Sequence, residues 1–147
     1  MKERMRRVAL VGLALALVGL VAGCPVCVYG AFASSRAGDS LEIVGFDPAP
    51  GTDGVIRVPI GEQLNVHVDY TVAPTQGARI FVRPLTGGSL TPDYWAHPSP
   101  LYTGSGAMSG WFGFDAASTV DQVRVEIEDD TGNEYLTLIL NINAVWE

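Results

Sequence analysis

The chain has 147 residues, which is enough for one domain, and its charge is unevenly distributed. Of its 9 basic and 16 acidic residues, four basic ones lie in the first seven positions, so the chain after residue 23 carries ten more acidic than basic groups. An acidic domain repels a phosphate backbone, so we expect no nucleic-acid partner. Both cysteines, Cys24 and Cys27, lie near the N-terminus, which excludes a disulfide framework in the remainder.

The first 23 residues have the layout of an export signal. The basic segment MKERMRR precedes the apolar segment VALVGLALALVGL, and small residues follow it. Because the basic flank stays in the cytoplasm, we expect everything after the apolar segment to be translocated.

The junction LVAGC at residues 20 to 24 resembles the lipobox of bacterial lipoproteins. The resemblance implies cleavage after residue 23 and diacylation of the Cys24 sulfur. A second interpretation stays open, because the chain remains apolar through Ala33. Residues 8 to 33 would span about 39 Å as a helix, enough for an uncleaved transmembrane anchor. Both interpretations place an extracytoplasmic domain on the bacterial cell membrane.

Two short segments follow the signal. CPVC at residues 24 to 27 matches the C-x-x-C redox pattern, but no thioredoxin-like βαβ pattern follows, so we assign it no redox role. SSRAGDS at residues 34 to 40 is small and polar, which is typical of a flexible tether. The folded domain is therefore expected from Leu41 to Glu147.

From Leu41 onward, apolar and polar residues alternate as in strands with one buried face. The predicted strands are residues 41–46, 55–60, 62–72, 78–85, 106–114, 119–129 and 134–146. Pro59 makes the second an edge strand, because proline cannot donate a hydrogen bond to a neighbouring strand. The predicted inward side chains of the third strand are Leu64, Val66, Val68, Tyr70 and Val72.

The last two strands are predicted to form a hairpin. Gly132, in the turn at residues 130 to 133, suits a left-handed backbone conformation. The predicted inward side chains are Val123, Val125, Ile127, Leu136, Leu138, Leu140, Ile142, Ala144 and Trp146. Arg124 and Glu126 are among those expected to face solvent.

About seven strands in residues 41 to 147 fit an all-β fold, a single antiparallel β-sandwich. The pattern resembles the Ig-like and fibronectin-III-like modules of bacterial surface lipoproteins, without the Cys…Trp…Cys signature of antibody-type Ig domains. Such modules mostly bind other molecules or act as spacers, so the resemblance implies these two functions without choosing between them.

Catalytic residue types occur without a catalytic pattern. Asp93, His97 and Ser99 are the types of an acyl-transfer triad, but no G-x-S-x-G elbow is present, so we expect a polar surface loop. His67 and Asp69 share the outward face of one strand and are expected to be solvated. We therefore expect no enzyme activity, no metal and no cofactor.

The hairpin turn is a weak calcium candidate. Glu128, Asp129, Asp130, Asn133 and Glu134 supply the oxygen ligands that Ca²⁺ prefers. Their spacing does not match an EF-hand loop, and Asp and Asn also favour turns for their own hydrogen bonds.

The best binding candidate is an aromatic loop stretch, YWAHPSPLY at residues 94 to 102. It contains Tyr94, Trp95, His97 and Tyr102, and Trp111 follows in the next strand. Aromatic side chains on a proline-stiffened loop supply contact area at low entropic cost, so we expect this loop, with Trp95 as anchor, to contact an envelope protein or a glycan. The alternative is that Trp95 and Tyr102 fold back and cap an open end of the sandwich.

Overall fold

The computed structural model describes residues 31–35 and 38–147. The predicted export signal, Cys24, the CPVC motif and residues 8 to 30 of the alternative anchor lie outside the described residues. Within these two described ranges, no helix is long and apolar enough to cross a membrane.

The described residues form two β-sheets. Their strands are β1 (Ala31–Ser34), β2 (Ser40–Asp47), β3 (Ile56–Val58), β4 (Gln63–Val72), β5 (Ala78–Thr86), β6 (Ser89–Leu90), β7 (Tyr94–Ala96), β8 (Leu101–Tyr102), β9 (Gly104–Phe114), β10 (Ser118–Glu128) and β11 (Glu134–Trp146). The first sheet has the order β1-β2-β4-β9-β7, and the second has the order β3-β11-β10-β5-β6, with β8 also paired to β5. The all-β prediction is confirmed, and the two sheets are arranged as a sandwich.

The core lies between the sheets, where the alternating apolar side chains meet. The side chains of β4 and β10 that are 0% exposed are all apolar and were predicted to face inward: Leu64, Val66, Val68, Val123, Val125 and Ile127. In β11, Leu138, Ala144 and Trp146 are buried, whereas Leu140 and Ile142 are only partly buried. These two lie at an edge, because β3 pairs with β11 only from Ala144 onward.

One strand pair departs from the predicted antiparallel arrangement. β3 lies parallel to β11, with Ile56 opposite Ala144 and Val58 opposite Trp146. Pro59 follows the last residue of β3, which is an edge strand as predicted. The sandwich is therefore mixed rather than wholly antiparallel.

The domain begins earlier than predicted, and residues 34 to 40 are not a flexible tether where they are described. Ala31–Ser34 pair with β2, with Ser34 opposite Ser40. Asp39, only 1% exposed, accepts hydrogen bonds from the Ser35 hydroxyl at 2.8 Å and from the Ala73 amide at 2.9 Å. A buried, hydrogen-bonded carboxylate therefore fixes this turn. The sequence pattern does not show β1, because its short segment continues the preceding apolar run.

The predicted long loop between β5 and β9 contains three short strands. β6 and β8 pair with β5 in the second sheet, while β7 pairs with β9 in the first. The chain thus passes from one sheet to the other along the sandwich edge, and its aromatic residues are held against both sheets.

Candidate functional site

A cleft of about 480 Å³ opens where β2 ends and β4 begins. It is lined by Asp47, Pro48, Arg57, Val58, Pro59, Gly61, Glu62, Gln63, Asn65 and Trp95. The volume falls in the range of roughly 300–1,000 Å³ that is usual for small-ligand sites. The cleft has one aromatic wall and several polar groups.

A glycine on the neighbouring strand positions Trp95. The register of β7 and β9 sets Trp95 opposite Gly113. A Cβ at residue 113 would lie 2.4 Å from Trp95 Cζ2 and 2.7 Å from the carbonyl oxygen of Glu62, so only glycine leaves room for the indole. Trp111 meets the Trp95 ring edge-on, with 5.4 Å between the ring centroids. The Trp95 indole nitrogen is buried without a hydrogen-bond partner among the described residues, so packing alone holds the ring.

The connection from β3 to β4 forms another wall and is held by the core. The Trp146 indole N–H donates to the Glu62 carbonyl oxygen at 3.1 Å. The Gly61 amide donates to the Phe114 carbonyl oxygen at 2.9 Å. The backbone at this wall is therefore fixed, whereas the Glu62 side chain is exposed.

Two amide side chains link β4 to β2 inside the cleft. Gln63 Nε2 donates to Asn65 Oδ1 at 2.9 Å, and Asn65 Nδ2 donates to the Asp47 carbonyl oxygen at 3.3 Å. Asn65 lies opposite Asp47 on one side and Trp111 on the other. The chain of hydrogen bonds sets the orientation of both amides, and it does not use Gln63 Oε1.

The cleft carries an excess of negative charge. Arg57 Nη2 lies 2.8 Å from Asp53 Oδ2, and Arg57 Nε lies 3.4 Å from Glu147 Oε1. The hydrogen bonds from Arg57 hold the pKa of Asp53 at about 2. The lining therefore carries two carboxylates, Asp47 and Glu62, and one guanidinium that is already paired with two carboxylates from outside the lining.

The structure separates the aromatic residues of the predicted binding loop. Arg83 Nη1 donates to the Tyr94 hydroxyl at 3.4 Å, which ties Tyr94 to the second sheet. Tyr102 meets Tyr70 edge-on with 5.1 Å between the ring centroids, and both rings pack against the core. The Tyr102 ring therefore folds back onto the sandwich, as in the alternative to a binding loop. Trp95 is the member of this group that lines the cleft.

The prediction that His97 belongs to a surface binding loop is wrong. The side chain is 9% exposed; its Nδ1 accepts from the Trp111 amide at 3.4 Å, and burial lowers the pKa of its imidazole. Ser99 is also buried, and its Oγ accepts from the Ile80 amide at 2.9 Å. Asp93 is exposed and forms no hydrogen bond with either, so the three triad residue types are not brought together.

In the turn that was a candidate for calcium binding, the Asp129 carboxylate accepts hydrogen bonds from the turn itself. Asp129 Oδ1 accepts from the backbone amides of Thr131 and Asn133, both at 2.9 Å, and the hydrogen bonds from these two residues hold the Asp129 pKa at about 2. Asp130 is exposed, and Glu134 accepts a hydrogen bond within β11. In the part of the chain that the structure describes, no group of three or more His, Cys, Asp or Glu side chains is placed to hold a metal ion.

A second charged cluster lies on the outer face of the second sheet. Glu126, predicted to face solvent, is 1% exposed, because Arg83 and Arg124 cover it. Arg124 Nε lies 2.8 Å from Glu126 Oε2, and Glu128 pairs with Arg83 at 3.2 Å. Burial raises the pKa of Glu126. The ion pairs of Arg83 join β5 to β10, and none of these charged residues lines the cleft, so we assign them a structural role.

The sequence pattern does not indicate the polar half of the cleft. Its side chains come from three segments, at residues 47–48, 57–59 and 61–65, which meet only in the fold. His67 and Asp69, which the sequence analysis considered, lie further along β4 and do not line the cleft. The one available signal is a tryptophan paired with a glycine, and it becomes visible only when the register of β7 and β9 is known.

Comparisons with protein-family models, curated proteins and solved structures find no match to this chain. The strand order and the geometry of the cleft are therefore the features from which a function can be proposed.

Proposed function

We propose that this chain is an exported, membrane-tethered binding module with an Ig-like sandwich, and that its ligand site is the Trp95 cleft. The single observation that carries the proposal is the cleft itself, which has a fixed aromatic wall beside exposed polar groups. Small-ligand sites usually combine apolar surface with a few oriented polar groups in this way. A spacer domain, which is the alternative, has no need for such a site.

The order of seven of the strands supports the Ig-like assignment. In an Ig constant-type sandwich, the chain-ordered strands A to G form one sheet of order A-B-E-D and another of order C-F-G. Here β2-β4-β9-β7 follow the first order, and β5-β10-β11 follow the second. The inter-sheet disulfide of antibody domains has no counterpart, because neither β4 nor β10 contains a cysteine.

The export signal and Cys24 supply the tether in this proposal. Six residues, 25 to 30, separate Cys24 from β1, and they span at most about 20 Å when fully extended. β1 pairs antiparallel with β2, with Ala31 opposite Ile43, so the first described residue lies toward the end of β2 at which Asp47 and the cleft lie. On this proposal the domain lies close to the membrane, with the cleft toward it.

Retention of envelope material by the immobilised domain tests the proposal. Residues 31 to 147 are suitable, because the described core lies wholly between Leu41 and Trp146. Three proteins are compared after their melting temperatures have been measured: wild type, Trp95→Ala, and Ile139→Ala, whose side chain is 50% exposed on the second sheet. We expect Trp95→Ala to lose most of the retained material and Ile139→Ala to keep it. No retention by any of the three folded proteins would favour the spacer, and equal retention by all three would place the ligand site away from Trp95.

A further inference from the structure

We propose that the Trp95 cleft binds a neutral saccharide. This inference rests on the proposed function and adds the chemical class of the ligand. It follows from four features of the cleft: its aromatic wall, its hydrogen-bonding groups, its charge and the absence of exposed large aliphatic side chains from its lining.

The aromatic wall suits the carbon-bound hydrogens of a sugar ring. The face of an aromatic ring carries partial negative charge, so it attracts weakly positive C–H groups as well as cations. Gly113 and Trp111 hold Trp95 in place, so a ligand that stacks on the ring does not have to order it first. A wall that is fixed before binding reduces the entropic cost of association.

The cleft leaves both acceptors and donors open, because Arg57, Gln63 and Asn65 each keep N–H groups beyond the ones already engaged. The carboxylates of Asp47 and Glu62 are exposed and accept only, and Gln63 uses an amide hydrogen on Asn65 while its Oε1 stays free to accept. A ligand that fits must therefore both donate and accept hydrogen bonds. Sugar hydroxyl groups, and the N–H of an acetamido group, meet this requirement without adding charge.

The charge of the cleft argues against an acidic saccharide. Arg57 is the one cation among the lining residues, and it already pairs with Asp53 and Glu147. A sulfate or uronate would face the carboxylates of Asp47 and Glu62 without a free cation to bind it. Like charges brought together on binding oppose association, so anionic sugars are disfavoured.

The lining also argues against a protein partner. The large hydrophobic side chains that the described surface exposes are Phe32, Val44, Ile60, Leu90, Leu101 and Ile139, and none of them lines the cleft. A stable protein interface usually buries about 800 Å² on each partner around a cluster of desolvated anchors. Trp95 is a single anchor beside charged and amide groups. It therefore suits a ligand of a few sugar rings better than it suits a protein surface.

Titration of tryptophan fluorescence in residues 31 to 147 tests the inference. The probes are tetra-N-acetylchitotetraose and cellotetraose as neutral saccharides, a heparin tetrasaccharide as an anionic one, and trilysine as a cationic peptide. We expect saturable binding of at least one neutral probe that changes little between about 50 and 500 mM NaCl, because it involves no ion pairing. We expect no binding of the heparin probe.

Two variants and one control connect the binding to the cleft. Trp95→Ala and Asn65→Ala should each weaken binding of the neutral probe, Trp95→Ala by about tenfold or more. Asn143→Ala changes an exposed asparagine on β11 that does not line the cleft and should bind as wild type does. Because Trp95→Ala alters packing, the comparison uses variants that melt cooperatively, and Asn65→Ala gives an answer if Trp95→Ala does not fold.

The remaining outcomes overturn the inference. Absence of saturable binding to both neutral probes, or salt-sensitive binding of trilysine alone, would contradict a neutral saccharide. If envelope material is retained in a Trp95-dependent manner, but protease treatment of that material abolishes retention and glycosidase treatment does not, the ligand is a protein. In that case the proposed function stands and the saccharide assignment fails. Retention that does not depend on Trp95 would contradict both the proposed function and the saccharide assignment.

Discussion

At the scale of single residues, Gly113 has the most direct influence on the cleft. Gly113→Ala places a methyl group where the Trp95 ring and the Glu62 carbonyl oxygen already lie. The carbonyl belongs to a fixed connection, so we expect the indole to be displaced and the free energy of unfolding to fall by about 1 to 3 kcal/mol. Urea unfolding followed by tryptophan fluorescence measures both effects.

Gly45→Ala is the matched control for this substitution. Gly45 lies on β2 of the same sheet, and a Cβ there would meet only His67 Cδ2, at an ordinary 3.7 Å. We expect little loss of stability and no change in the environment of Trp95. If both alanine variants unfold at the same urea concentration as wild type, the account of how Trp95 is held is wrong.

The sequence identifies Trp95 but not its surroundings. A tryptophan among prolines is a reasonable binding anchor from composition alone. Gly113 and the amide of Asn65 come close to Trp95 only through the register of the strands. A single sequence does not specify that register. For His97 the sequence is misleading. Its residue type and its loop-like context suggest an exposed side chain, whereas the edge of the sheet buries it.

At the scale of secondary structure, β11 offers a test of strand orientation. Leu138 lies opposite Val125 and is 6% exposed, whereas its neighbour Ile139 is 50% exposed on the outer face. Leu138→Ala should lower the free energy of unfolding by about 2 to 5 kcal/mol. Ile139→Ala, the matched control, should change it by about 0.5 kcal/mol or less. A larger cost for Ile139→Ala in chemical denaturation would mean that the faces of β11 are inverted.

The turn between β10 and β11 depends on one carboxylate. Asp129 in its ionised form accepts the hydrogen bonds that order the turn, and these bonds lower its pKa from 3.8 to about 2. Because the folded pKa is depressed, the stabilisation is present above about pH 4 and is lost as the pH falls toward 2. Asp129→Ala should therefore melt below wild type at pH 7 and at nearly the same temperature at pH 2.

Asp130→Ala serves as the control for the turn, since Asp130 is exposed and adjacent. It should melt as wild type does at both pH values. Calcium at millimolar concentration should not raise the melting temperature of wild type, because the Asp129 oxygens are already engaged within the turn. A calcium-dependent rise that Asp129→Ala abolishes would establish the metal site that this geometry argues against.

The length and the residue pattern of a strand decide whether the sequence predicts it. The longer strands were predictable because apolar residues at every second position give their inward faces directly. β1, β6, β7 and β8 have four residues or fewer, too short for an alternating pattern to stand out. The parallel pairing of β3 with β11 joins segments about 90 residues apart, so no local pattern indicates it.

At the scale of the whole molecule, the membrane tether is a prediction from the first 24 residues. Cys24→Ala should abolish lipid modification and release the domain from the membrane fraction. Cys27→Ala, which removes a thiol only three residues away, should leave both unchanged. Mass spectrometry of the membrane fraction distinguishes the cases. A wild-type protein that keeps residues 1 to 23 intact in the membrane fraction would instead indicate the uncleaved anchor.

The central claim is that the cleft at one end of the sandwich is where its ligand binds. Chemical-shift mapping tests it most directly, with isotope-labelled residues 31 to 147 titrated with a solubilised cell-envelope fraction. We predict that shifts concentrate at Asn65 and at the Trp95 backbone amide, while Tyr102 and the turn at Asp129 stay unperturbed. Shifts confined to those distant positions, or no shifts at any concentration, would contradict the account.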